Sequence, residues 1–162
     1  TGSLGGTGNI GQDPCFVDAA IDDYHLKSVG WRWNAIMRAW DFDRSATSRC
    51  IDAGNPGSSL SNELHPNDIE PSLPDIALNV RINMGAYGGT VQASLAPPGW
   101  ALLPDADNSG VIDFRDYAFI GDLWLNAGSE QPCDFDRSGD INYKDLSLFV
   151  EDWLIQTSWF RQ

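Results

Sequence analysis

The sequence predicts a mixed fold in two parts: a short β-rich segment over residues 1–97, then a small α-helical module with two acidic loops over 105–156. A linker at 98–104 joins them, and 157–162 form a tail. Three observations carry this reading. Residues 105–125, "DADNSGVIDFRDYAFIGDLWL", align without gaps on 134–154, "DFDRSGDINYKDLSLFVEDWL", at an offset of 29. Helical apolar spacing follows each acidic stretch. The first hundred residues instead combine frequent Gly and Pro with short apolar runs, the pattern of short strands between turns.

Composition narrows the classes. A chain of 162 residues suits one ordinary domain or two small ones, and 42% hydrophobic content is enough for a core. No stretch is long and apolar enough to span a membrane. The opening "TGSLGGTGNIG" is small and polar and reads as a mature or trimmed end rather than a signal peptide. A net charge of −13 argues against nucleic acid, which needs clustered Lys and Arg. The charge is uneven: residues 1–100 carry −5 and residues 101–162 carry −8. Charge that dense repels itself in a folded chain unless cations neutralise it, although a solubilising surface is the plainer alternative.

Each repeat reads as a cation loop followed by a helix. Calcium takes six to eight hard oxygens at about 2.3–2.6 Å, and a 12-residue loop supplies them from positions 1, 3, 5, 7, 9 and 12. The first loop offers Asp105, Asp107, Ser109, the Val111 carbonyl, Asp113 and Asp116; the second offers Asp134, Asp136, Ser138, the Asp140 carbonyl, Asn142 and Asp145. Gly110 and Gly139 fall at position 6, where the loop turns sharply. Ile112 and Ile141, at position 8, are expected to pair the two loops across a short β-bridge. Leu146, Phe149, Val150, Trp153 and Leu154 make the apolar stripe of the second helix; Tyr117, Ile120 and Trp124 make that of the first, with Phe119 and Leu123 beside it. Asp116 and Asp145 open the helices, where a carboxylate also suits the dipole. The alternative is a metal-free amphipathic hairpin with Asx-rich turns.

On these motifs residues 103–156 resemble a type I dockerin, a duplicated module in which each half is a calcium loop and one helix. The resemblance implies two Ca2+ ions and docking on a cohesin-like protein partner. Two features depart from the commonest pattern. Position 5 is Ser in both loops, which removes a charge and should weaken calcium binding. Positions 10 and 11, which in that family help to choose the partner, are Phe114-Arg115 and Tyr143-Lys144 in place of small hydroxylated residues. An aromatic next to a cation, twice, fits a symmetric contact surface; packing over the loops is the alternative.

In the first part "CFVDAA", "YHLKSV", "IALNV" and "INMGAYGG" read as short strands or turns, and "VGWRWNAIMRAWDFD" as a strand pair or a short helix. "GNIGQDPCFVDAAIDDYHLKS", "SRCIDAGNP" and "RINMGAYGGTVQAS" resemble the C-terminal end of secreted, planctomycete-type right-handed parallel β-helix proteins over about residues 7–95. Such an end piece holds one or two coils and leaves an open strand edge. "CIDAGNPGSSLSNELHPND" offers Asp52, Asn55, Ser58, Glu63 and Asp68, which could ring a third cation or form a solvated Asx-rich loop. Asp41 and Asp43 in "DFDRSATSRCID" share letters with the second loop, but Ala46 and Arg49 replace its glycine and its ninth ligand, so a solvent-facing turn is expected there. Cys15, Cys50 and Cys133 form no zinc-like cluster; a Cys15–Cys50 disulfide and three free thiols both remain open.

No nucleophile motif, phosphate loop or metal-hydrolase spacing appears, and His25 and His65 lack a catalytic partner, so no enzyme is expected. The expected function is a bacterial, extracellular or cell-surface, calcium-dependent attachment and assembly protein. Its dockerin-like half docks on a partner, a cohesin-like domain or the next copy of itself in a head-to-tail polymer. The alternative is the C-terminal tethering fragment of a polysaccharide-degrading β-helix enzyme. Carbohydrate binding through Trp31, Trp33 and Trp40 is the weakest expectation.

Overall fold

The computed structural model describes residues 9–60, 62–63 and 79–160; His65, Asp68 and most of "IALNV" fall outside them. The chain runs through four short strands and then two helices: β1 (Phe16–Asp18), β2 (Asp23–Leu26), β3 (Arg32–Asn34), β4 (Ala39–Asp41), α1 (Phe114–Leu123) and α2 (Tyr143–Glu151). No helix among the described residues is long and apolar enough to cross a membrane.

The helices start where their caps dictate. The Asp113 carboxylate accepts from the Arg115 amide, and Asp116 reaches back to the Asp113 amide, closing a capping box; Asn142 and Asp145 repeat it on α2. Each helix is followed by a left-handed residue, Leu125 (φ 63°) and Leu154 (φ 63°). Helices of 10 and 9 residues are marginal alone, so packing must hold them. Ile112, Ile120, Cys133, Phe135, Ile141 and Phe149 form that core, with Leu102, Phe119, Leu123, Leu146 and Trp153 against it. The expected stripes shift at their ends. Tyr117, Trp124, Val150 and Leu154 are exposed, and α1 meets the core through Phe119, Ile120 and Leu123 instead.

The position-8 isoleucines pair otherwise than the sequence predicts. Ile112 does not bond to Ile141: its amide donates to the Ile155 carbonyl (3.1 Å) and its carbonyl accepts from Leu154 (3.0 Å). Ile141 makes the matching pair with Asn126 (3.0 Å) and Leu125 (3.0 Å). Each loop is thus tied to the segment that leaves the other repeat's helix, because the left-handed residue after each helix turns that segment alongside the opposite loop.

The first part has a small apolar cluster, Leu26, Ile51 and Ala96, with Phe16, Cys50 and Trp100 packed on it. Both of its sheets are two-stranded and antiparallel, so stacked parallel coils are not formed among the described residues. "VGWRWNAIMRAWDFD" folds as the β3–β4 hairpin, with Trp33 opposite Trp40 and their rings edge-to-face at 5.9 Å. Polar groups complete the unit: the Ser94 hydroxyl donates to the Leu26 carbonyl (2.7 Å), and Asn79 and Asn83 donate to the Ser94 carbonyl (3.0 and 2.6 Å).

The stretch expected as a linker is packed. Pro104 is fully buried, and the Trp100 indole donates to the Ser48 carbonyl (3.1 Å). Arg81, 2% exposed, crosses between the two parts: its guanidinium donates to the Gly54 carbonyl (2.9 and 2.6 Å), the Ala53 carbonyl (3.4 Å) and the Asp105 carbonyl. Burial lowers its pKa to about 10, so it stays charged at neutral pH. Replacing Arg81 by Met strips donors from buried carbonyls and is expected to destabilise the protein by roughly 3 kcal/mol. Arg137→Met, at an exposed side chain that bonds two carbonyls, should cost only about 1–1.5 kcal/mol. Urea midpoints of the two variants test the difference, and equal shifts would exclude the role given to Arg81.

Candidate metal centres

Two groups of three carboxylates come together among the described residues: Asp105, Asp107 and Asp116, and Asp134, Asp136 and Asp145. In each, one oxygen from every residue lies within 4.8 Å of the others. The backbone builds both in the same way. The Asp105 carboxylate accepts from Ser109 (2.9 Å) and Gly110 (2.8 Å), and Asp134 accepts from Ser138 (2.9 Å) and Gly139 (2.8 Å). Asp116 is pinned by the amides of Ala106 (2.8 Å), Asp107 (3.3 Å) and Asp113 (2.9 Å); Asp145 is pinned by Phe135 (2.7 Å), Asp136 (3.2 Å) and Asn142 (2.9 Å). The Ser109 and Ser138 hydroxyls face the Val111 (3.2 Å) and Asp140 (3.4 Å) carbonyls. Asp113 and Asn142 act as helix caps, and the Asp140 side chain is exposed.

The two loop glycines are needed for different reasons. Gly139 has φ 92° with open space around it, so conformation alone demands it. Gly110, at φ 87°, also lies under the Trp159 ring, where a Cβ would come within 2.5 Å.

Electrostatics set these clusters apart from ordinary surface acids. Burial pushes Asp105 up to about 7, with the nearby Asp116 charge adding to it. Burial also raises Asp116 and Asp134. Asp136 moves the other way, because the Ser138 hydroxyl bonds to its carboxylate. Cys133 lies beneath both loops: burial drives its thiol up to about 12, and the charges of Asp116 and Asp145 push in the same direction. A divalent cation would relieve this crowding. The donors are all oxygens and the ligand spacing is tight, which suits a hard ion and not the thiolate–imidazole sets of zinc.

Phe114, Arg115, Tyr143 and Lys144 occupy the first two positions of their helices and are all exposed, Phe114 at 75% and Tyr143 at 72%. Phe114 meets Trp153 edge-on at 5.0 Å, and the Lys144 ammonium lies 3.9 Å from Asp136. Tyr117, Leu125, Val150, Leu154 and Ile155 are exposed as well.

The other candidates do not gather into a centre. Asp52 and Glu63 are both buried and engaged by the protein. Asp52 accepts from the Arg81 amide (3.2 Å), and Glu63 accepts from the amides of Asn83 (2.9 Å) and Gly89 (2.9 Å) and from the Asn79 side chain. Asn55 turns away to the Glu130 carbonyl (2.6 Å), and Ser58 receives Arg137 on its carbonyl (3.0 Å). No acidic group of three includes Asp52 or Glu63 among the described residues. Asp41 pairs with Arg32 (3.8 Å), and Asp43 caps the Ser45 amide (2.8 Å) in a turn. His25 is buried between Asp23 (2.6 Å) and Gln92 (3.1 Å) and stacked on Tyr87, a structural setting. Cys15, Cys50 and Cys133 are free thiols. Trp33 and Trp40 are half-buried on each other.

Sequence reasoning missed Arg81, Asn108 and Arg137, which join the loops to the first part. A single Arg flanked by apolar residues in "NVRINMG" was the available signal.

Residues 3–54, about a third of the chain, match a protein family described as "Disaggregatase related". No curated protein and no solved structure matches the chain. The matched segment holds β1 to β4 and ends at Gly54, before either acidic loop.

Asp52 is buried against the Arg81 backbone, outside the sequence of either loop. Burial raises it from 3.8 to about 7. The folded state therefore holds its proton more tightly than the unfolded one. The stabilisation is complete below the unfolded pKa and is lost as pH climbs through the folded value. Between pH 3.8 and about 7 the melting temperature of Asp52→Asn should fall less than that of the parent chain, as read by calorimetry at matched salt. Parallel curves would remove Asp52 as a source.

Proposed function

We propose that this is a secreted, bacterial, non-catalytic protein for calcium-dependent attachment and assembly. Its C-terminal half is a dockerin-like module that docks on a protein partner, a cohesin-like domain or a second copy of the chain. The observation that carries the reading is the pair of matched carboxylate triads, one per repeat, each with two buried members. Buried like charges of this kind are costly without a counter-ion. In the first loop Asp105, Asp107, Ser109, the Val111 carbonyl, Asp113 and Asp116 would hold Ca2+; in the second, Asp134, Asp136, Ser138, the Asp140 carbonyl, Asn142 and Asp145 would do so. Calcium supplies the positive charge that lets both loops close in water. The first two residues of each helix would then present Phe114, Arg115, Tyr143 and Lys144 to the partner.

A second reading has one observation in its favour. The matched family carries an enzyme-type description, "Disaggregatase related". An enzyme-type description leaves room for a tethering fragment of a polysaccharide-degrading β-helix enzyme, and activity of a precursor longer than this sequence on a broad polysaccharide panel would decide it.

Titration calorimetry should show two calcium ions per chain. At a hundredfold excess over Kd each ion should add about 2.7 kcal/mol of stability. Asp116→Asn and Asp145→Asn should each abolish one binding event. EGTA should shrink any assembly seen by electron microscopy. No binding heat and unchanged particle size would overturn the reading. Cys133 supplies a third readout: its thiol should react with a disulfide reagent at least tenfold faster in EGTA than in calcium, since only an opened module exposes it.

A further inference from the structure

Both acidic loops are held from outside by the first part of the chain, and they are held in the same way. The residues at loop position 4, Asn108 and Arg137, each adopt the left-handed conformation (φ 57° and 53°) and each send a side chain across to backbone carbonyls there. Asn108 donates to the Ala53 carbonyl (3.0 Å). Arg137 donates to the Ser58 (3.0 Å) and Val80 (2.8 Å) carbonyls. Between these two grips, Arg81 binds the carbonyl of Asp105 itself, and Asn55 reaches the Glu130 carbonyl (2.6 Å) just ahead of the second loop. Gly57 lies flat on the Gln131 carbonyl, where a Cβ would come within 2.1 Å.

We infer that loading of the two loops with a divalent cation and docking of residues 53–58 and 80–81 on their outer face are thermodynamically coupled, so that the ion locks the two parts of the chain into one body. The inference rests on the calcium reading and adds its regulation. The left-handed turn that aims each position-4 side chain outward belongs to the same loop whose positions 1, 3 and 12 converge on the carboxylate centre. A loop that loses its closed form loses that aim as well. By linkage the coupling is reciprocal: the factor by which the ion favours docking is the factor by which docking favours the ion, so a chain held undocked binds the ion more weakly by that factor.

The test uses the whole chain. Hydrogen exchange at Gly54, Gly57 and Ser58 is followed with and without Ca2+, and calcium affinity is measured for the parent, for Gly57→Ala and for Arg137→Ala. The Gly57 change is uncharged and lies outside both loops; the Arg137 change removes one exposed side chain and keeps the experiment decisive if the glycine variant fails to fold. The expected result is about tenfold slower exchange at these amides in calcium, with calcium affinity about fivefold to tenfold weaker in each variant. Exchange and affinity that stay unchanged, in a chain that does bind two calcium ions, would overturn the coupling and leave the calcium reading standing. A parent chain that binds no calcium would overturn both.

Discussion

Carboxylates held out of water dominate this structure. Asp116 and Asp145 are fully buried, each with three backbone amides aimed at it, and Asp105 and Asp134 are nearly so. Amide dipoles lower the cost of such charges but do not cancel it. The loops can close only because the backbone curls tightly around these oxygens. That curl sets the starts of α1 and α2, the position of the core beneath them and the outward aim of Asn108 and Arg137.

The first loop differs from the second in its neighbours. Arg81 is a buried cation whose field acts on Asp105, Asp52 and Asp116, while the cations on the second loop, Lys144 and Arg137, are exposed. Two loops that share six of their twelve residues therefore stand in different electrostatic surroundings, a distinction that comes from the fold and not from the repeat.

The repeat made the helical module readable. Its offset, glycines and carboxylate spacing located both helices and both triads. The first part was read less well, because its organisation rests on side chain-to-backbone bonds from Ser28, Asn79, Asn83 and Ser94, which have no periodicity. The β3–β4 hairpin was half visible in the alternating Trp31 and Trp33, yet that alternation by itself did not choose hairpin over helix. Asn34 does so in the structure by accepting the Ile36 (3.1 Å) and Met37 (3.0 Å) amides at the turn. Contacts between the parts are long-range and were invisible from spacing, as was the exchange of bridging partners by Ile112 and Ile141.

That exchange bears on how such a module can come into being. Each loop's edge is covered by a segment from the other repeat, at Val111–Gln156 and Ala127–Asp140. A single repeat would have one loop and one trailing segment with nothing to pair them to, and the short lever between them keeps them apart. An ancestral half-length chain with this geometry could satisfy both only by meeting a second molecule, as a mutually exchanged pair. In the tandem chain the second copy is supplied within the same molecule, through the connection between Trp124 and Asp134.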